Sequence, residues 1–150
     1  MAHGQDPIEI TTDLARIDLD RVYAWVARKR HWAGCMPRGV FERAARGSLC
    51  FAALERDATI GFCRVISDRA TFAYLSDMFV DPARRGRGIG KAIMAVIMAH
   101  PELMTLRLWL LVTADAHGLY ARHGFSALGA PERYMERRDE EVYRRMADEG

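Results

Sequence analysis

The chain has 150 residues, half of them hydrophobic and 28% charged. That length suits one globular domain with a real core and is too short for two of ordinary size. The 22 basic and 20 acidic residues leave a formal net charge of +2, so no global charge excess points to nucleic acid or to an anionic membrane.

Cys35, Cys50 and Cys63 are odd in number and lack a C-x-x-C pair. They suggest neither a disulfide framework nor a zinc site, and read as small buried hydrophobes in a reducing compartment. His3, His31, His100 and His123 show no metal-ligand spacing, so no metal is expected. The start, MAHGQDPIEI, has no basic and apolar leader pattern. The longest apolar run, 92–99, is far short of the ~20 residues a membrane span needs. The expectation is a cytoplasmic enzyme.

In chain order, residues 8–12 form a short β-like segment. Asp18 is placed as an N-cap, with Ile17 and Val22 as a hydrophobic staple. Leu19, Val22, Trp25 and Val26 recur at helical spacing, giving an amphipathic helix to about Arg28. His31 to Cys35 form a loop. Pro37 opens a second helix that buries Val40, Phe41, Ala44 and Ala45, with Gly47 at its end.

A meander follows. Strands over 49–54 and 59–66 are joined by the polar turn 55–58, and residues 67–70 turn the chain into a third strand, 71–80. That strand breaks at Asp81-Pro82, and a loop dense in Arg and Gly leads into a helix of about a dozen residues. Ile89, Ile93, Met94, Val96, Ile97 and Met98 make the helix apolar nearly all round, which predicts that it is buried within the domain. Residues 106–112 read as a Leu-rich strand, with Arg107, Trp109 and Leu111 on one face. Asp115 is placed as the N-cap of a short helix over 116–123, closed by Gly124. Segments 125–128 and 134–136 read as two last strands, and a charged tail, helical or frayed, runs from Asp139. The whole chain, 1–150, is expected to be one mixed α/β domain.

The Arg/Gly loop is the chemical centre of the sequence. Backbone N–H groups there, with the positive end of the helix dipole, form a seat for phosphate oxygens. Gly86, Gly88 and Gly90 let the main chain approach a ligand, and Arg84, Arg85, Arg87 and Lys91 add positive charge. Two common phosphate motifs fail on spacing. A Walker loop needs one residue more between its glycines and a Ser or Thr after the Lys. A dinucleotide fingerprint needs G-x-G-x-x-G after the first strand of a βαβ unit, whereas these glycines alternate and follow a meander.

Arg85-Gly86-Arg87-Gly88-Ile89-Gly90 resembles the [QR]-x-x-G-x-[GA] signature of the GNAT superfamily of acyl-CoA-dependent acyltransferases. FVDPARRGRGIGKAIM has that family's strand, Asp-Pro break, loop and helix in order, and DAHGLYARHGF resembles its A-x-x-L/F-Y-x-x-x-G-F segment. The element order matches over 8–136.

The resemblance implies a single α/β (α+β) domain. Its central sheet would be mixed and mostly antiparallel, with 6–7 strands, the fourth and fifth splayed, flanked by about four helices. It implies acetyl-CoA as cosubstrate and a primary amine as acceptor. The pyrophosphate would sit on Arg85, Gly86, Arg87, Gly88, Ile89, Gly90 and Lys91. The pantetheine arm would pair with the backbone of Met78, Phe79 and Val80, one of whose N–H groups would stabilise the oxyanion. Tyr120 matches the family's general acid. Asp77, beside the loop, is the first candidate for general base, with Tyr74, His117 or water as alternatives. Asp115 stands where the family often has an Asn that reaches the pantetheine arm; an ionised Asp accepts a hydrogen bond there but cannot donate one.

Trp32, Arg64, Arg107 and Trp109 are the candidate acceptor contacts. An Arg pointing into the cleft would favour an acceptor with a carboxylate. The leading reading is a small-molecule N-acetyltransferase, with an amino-acid-like or polyamine-like acceptor. A non-catalytic acyl-CoA-binding domain and a protein N-terminal or lysine acetyltransferase are the alternatives. An RNA-binding patch is disfavoured by the near-neutral balance and by the lack of interleaved aromatics. No nucleic acid or membrane partner is expected, and a homodimer is left open.

Overall fold

The computed structural model describes residues 6–29 and 35–149. Its centre is a sheet of five strands in sequential order: β1 Ile8–Thr11, β2 Leu49–Glu55, β3 Ala58–Ser67, β4 Phe72–Val80 and β5 Leu108–Leu111. The first three pairings are antiparallel, and β4 with β5 is parallel. Residues 125–128 and 134–136 form no strand, so the count falls below the 6–7 expected. Their apolar residues are short runs flanked by Gly and Pro, and Leu128, Tyr134 and Met135 face solvent.

The meander is held by local chemistry. Arg56 and Asp57 both take positive φ (48° and 63°), as a two-residue hairpin matching strand twist requires. At the next turn the Asp68 carboxylate accepts the N–H groups of Ala70, Thr71 and Phe72 and the Thr71 hydroxyl. The Thr71 hydroxyl, then these N–H groups, hold its carboxyl well below the usual range.

Alternation along β2 and β3 sends side chains to two faces. On one, α1 (Leu19–Lys29) and α2 (Arg38–Arg46) pack Val22, Trp25, Val26 and Phe41 against Cys50, Ala52, Leu54 and Phe62. The cap at Asp18 forms as expected, its Oδ1 accepting the Arg21 N–H at 3.1 Å. On the other face, α3 (Ile89–Met98) packs Ile89, Ile93, Met94 and Ile97 against Phe51, Cys63, Val65 and Leu75.

Here the sequence expectation is corrected: α3 lies on the sheet with one face outward, where Lys91, Ala95 and Val96 are exposed. Alanine counts as apolar, yet it contributes little surface to bury. Gly61 of β3 sets how closely α3 sits. A Cβ there would lie 3.0 Å from Ile89 Cγ2 and 3.1 Å from Ile93 Cδ1.

The short α4 (His117–Ala121) and α5 (Val142–Glu149) complete the chain, α5 giving the charged tail its helix. Asp115 is not the cap of α4; the Thr113 hydroxyl accepts the Ala116 N–H at 3.0 Å instead. Gly124, with φ of 89°, closes α4 as foreseen. Among the described residues, no helix is long and apolar enough to cross a membrane.

Candidate active site

The site begins with a break in pairing. β4 and β5 are paired from Phe72–Leu108 to Leu75–Leu111 and no further, while β4 runs on to Val80. Just beyond that last pair, Asp77 takes a φ of 60° and the register between β3 and β4 shifts between Phe62 and Arg64. Two residues of β4, Asp77 and Met78, therefore face one of β3. This is a bulge, which bends and twists the strand that carries it. The cleft that opens is about 980 Å³, lined by residues 74–79 of β4, by 111–116 at and after the end of β5, and by residues 138–144.

At the end of β4 the loop enters α3 as the spacing of its glycines predicts. Gly88 is the N-cap of α3 in the left-handed region, with φ of 75°, and a Cβ there would meet nothing within 4 Å. The glycine thus serves the backbone conformation and leaves open space in front of it. The first N–H groups of α3, on Ile89, Gly90 and Lys91, lack intrahelical carbonyls, as at any helix start; Ala92 N–H is the first to close, on Gly88 C=O at 3.0 Å.

The loop cations divide into two kinds. Arg87 Nη2 donates to Glu55 Oε2 at 2.7 Å, and Arg84 donates to Glu55 at 3.2 Å and to Asp81 at 2.9 Å. Arg21 of α1 reaches the same Asp81 oxygen at 2.5 Å. Burial resists the charge on Asp81, but the Ala83 N–H and Arg21 outweigh it and hold the carboxyl below its ordinary value. Arg85 and Lys91 are exposed and form no ion pair among the described residues. Arg85 lies over the Phe79 ring at 5.5 Å, and Phe79 stacks on Trp25 at 5.0 Å. Neither Glu55 nor Arg21 was singled out in the sequence, and both lie far from the loop along the chain.

Tyr120 stands on α4 at the back of the cleft, 7% exposed, edge-on to Phe125. Burial first, then the neighbouring Cys63 and Asp115, pushes its hydroxyl up to about 12, so it stays protonated at neutral pH. Cys63 is itself pushed up to about 12 and Cys50 to about 11, chiefly by burial, so neither is a thiolate. Tyr74, Asp77, Met78, Phe79 and Asp115 line the same cleft.

The acceptor candidates do not gather there. Arg64 is buried behind β4 and donates to Asp77 at 3.0 Å. Arg107 and Trp109 line an adjoining groove of about 690 Å³ along β5, with Phe125 and His117, which shares Leu111 and Tyr120 with the cleft. Trp32 lies outside the described residues. Among those residues, no group of His, Cys, Asp or Glu could hold a metal ion.

Known proteins share this fold. The family model for the acetyltransferase (GNAT) domain matches residues 46–127. A crystal structure of a candidate GNAT acetyltransferase from Xanthomonas campestris pv. campestris is 43% identical, spans 93% of this chain and 99% of its own, and superposes with a TM-score of 0.87. A candidate acetyltransferase from Gibberella zeae is 25% identical over 134 residues, 76% of either chain. At 16% identity, a candidate acetyltransferase from Clostridium acetobutylicum, solved with acetyl-CoA, shares the fold over 88% of this chain and 96% of its own, with a TM-score of 0.65. With more than half its length matched, including the phosphate loop and the Tyr120 segment, the chain belongs to the GNAT family of acetyltransferases.

Proposed function

We propose that the protein transfers an acetyl group from acetyl-CoA to a primary amine of a small, amino-acid-like or polyamine-like molecule, by direct attack of the amine. The observation that carries this reading is the divergence of β4 from β5 directly in front of the N-terminus of α3. One arm of the cleft offers strand backbone without a neighbour, and the other offers unpaired N–H groups under positive charge. An extended thioester bearing a pyrophosphate needs both.

The residues fit such a donor. The backbone from Arg85 to Lys91 would hold its phosphates. Past Leu75, the β5-facing backbone of Met78, Phe79 and Val80 is free to pair with its amides, as an added strand would. Acetyl-CoA bound there supplies the activated acyl group. A backbone N–H of the same stretch would receive the carbonyl oxygen as it gains charge. Tyr120, protonated and inside the cleft, would hand its proton to the departing sulfur.

A free amine of pKa ~10.4 is unprotonated about once in 2,500 at pH 7, so the acceptor must lose a proton before it attacks. Tyr74 and Asp77 line the cleft and His117 lies beside β5. Asp77 is committed to Arg64, and this reading takes water as the proton acceptor.

Thiol release from acetyl-CoA across a panel of amines tests the proposal, alongside thermal melts with CoA. The expected result is a higher melting temperature with CoA and turnover confined to one class of amine. Absence of any stabilisation sinks the donor assignment. Stabilisation without turnover on any amine favours an acyl-CoA-binding domain.

A further inference from the structure

The best-defined polar cluster left unused by this reading lies directly behind the cleft. Arg64, 9% exposed in the middle of β3, donates through Nε to Asp77 Oδ2 at 3.0 Å, through Nη1 to the Ser48 hydroxyl at 3.1 Å and through Nη2 to the Ser76 hydroxyl at 3.4 Å. The side chains of Arg64 and Asp77 are 10% and 6% exposed. The Cys50 and Cys63 thiols, both kept neutral by burial, feel the charges of the pair, and Tyr74, Asp115 and Tyr120 line the cleft together with Asp77. A buried guanidinium with a carboxylate and two hydroxyls satisfies most of its donors.

The pair sits at the one irregular point of β4. Asp77 is the residue of the bulge with positive φ, a conformation L-residues with a Cβ adopt rarely and Asp more readily than most. Such strain persists only where surrounding contacts over-determine it, and the Arg64 anchor is such a contact. The next residues along, Met78 and Phe79, are the ones whose backbone the acetyl-transfer reading sets against the donor.

We propose that the Arg64–Asp77 ion pair is a positioning device: it holds β4 in its left-handed kink and so aims the backbone of Met78 and Phe79 into the cleft. Asp77 then serves acetyl transfer through that backbone and is not the proton acceptor. This rests on the acetyl-CoA reading above. It also withdraws Arg64 from the acceptor, because the guanidinium is spent inside the protein.

The test compares Asp77→Asn, Asp77→Ala, Asp77→Gly and Arg64→Met with the wild-type full chain. It measures acetyl-CoA affinity by titration calorimetry and thiol release against pH. Asparagine tolerates the left-handed backbone and keeps a side-chain oxygen for Arg64, so its affinity should stay near wild type and the acid limb of its pH profile should be kept. Alanine and Arg64→Met should both weaken acetyl-CoA binding and lower kcat by about tenfold to a hundredfold, as misplaced binding groups do. Their double variant should be no worse than the poorer single, because both break one device. Asp77→Gly, which adopts positive φ freely, should recover part of the alanine loss. It carries the comparison if Asp77→Ala fails to fold.

The opposite pattern overturns the proposal. A general base at Asp77 predicts that asparagine removes the acid limb, that acetyl-CoA affinity is untouched in every Asp77 variant, and that Arg64→Met spares kcat. A wild-type chain that neither binds acetyl-CoA nor releases thiol overturns the acetyl-transfer reading itself, so the two failures are told apart.

Discussion

Arg87 Nη2 donates to Glu55 Oε2 at 2.7 Å, and Arg84 Nε donates to the other oxygen of the same carboxylate at 3.2 Å. One residue at the end of β2 therefore fastens two of the four loop cations to the hairpin beneath them. The Arg87 hydrogen bond is the largest influence on Glu55, burial opposes it, and Arg84 adds to it; the carboxyl ends below its ordinary range. A carboxyl whose folded pKa is depressed contributes stability above its unfolded value and loses it as pH falls through the folded value. Asp81, depressed as well, acts in the same window. Urea midpoints should hold steady from neutrality down to about pH 5 and fall below about pH 4. Glu55→Gln should be less stable than wild type at pH 7 and show a smaller acid loss. An acid limb of unchanged size in that variant would show that the loop is not held by this carboxylate.

Tyr120 is pushed up to about 12, chiefly by burial, and so keeps its proton across the working range. A donor of that kind loses its proton only as pH rises through about 12, so turnover should show no basic limb assignable to it below that region. Tyr120→Phe keeps the buried ring and its contact with Phe125 but removes the proton. Acetyl-CoA affinity should be nearly intact, with turnover down about 100-fold, the low end for general acid catalysis, since a thiol of pKa ~8.5 is already a fair leaving group. Unchanged turnover under conditions where chemistry limits the rate would remove Tyr120 from the mechanism.

The sheet and the loop were legible in the sequence because each has a local signal. Continuous apolar runs bounded by polar turns mark β2 and β3, Asp81-Pro82 ends β4, and the glycines before Lys91 announce a helix start with open backbone N–H groups. The Arg64–Asp77 pair was not legible as a pair. A charged residue inside an apolar strand usually faces solvent, and only the bulge register brings these two side chains together across the hairpin. Glu55 was hidden for a similar reason, since it reads as the first residue of a polar turn and nothing local links it to Arg87. The segment after Gly124 misled in the other direction. Short apolar runs there carry strand propensity, but propensity is a weak guide where no neighbouring strand is paired.

Gly61 offers a test of how tightly α3 is seated. A Cβ at that position would fall 3.0 Å from Ile89 Cγ2 and 3.1 Å from Ile93 Cδ1, and both isoleucines are buried. Valine there adds branches to a Cβ that already has no room. Overpacking of this kind costs about 1–3 kcal/mol. At about 2–4 °C per kcal/mol for a chain of this size, the melting temperature should fall by several degrees. Ile89 is the first residue of α3, so the displaced helix start should also bind CoA less tightly. A Gly61→Val chain that melts with wild type would mean that α3 can shift outward at no cost.

The two kinds of loop cation should fail in different ways. Arg85 and Lys91 are exposed at the helix start, and Arg85 rests on the Phe79 ring that Trp25 backs. Replacing either by Met removes a charge that no carboxylate pairs with among the described residues, and for Arg85 also a contact with the Phe79 ring that is worth little at an exposed site. A charge-assisted hydrogen bond contributes about 1.5–3 kcal/mol, so CoA affinity should drop about tenfold to a hundredfold for either variant, less at high salt. Urea stability without ligand should barely move. Arg87→Met instead leaves Glu55 without its principal partner at 18% and 12% side-chain exposure, and should lower ligand-free stability first. Calorimetric CoA titrations at two salt concentrations, paired with urea melts, separate the cases. If Arg87→Met loses CoA affinity at full stability, the Glu55 bond opens on binding and Arg87 turns to the phosphates.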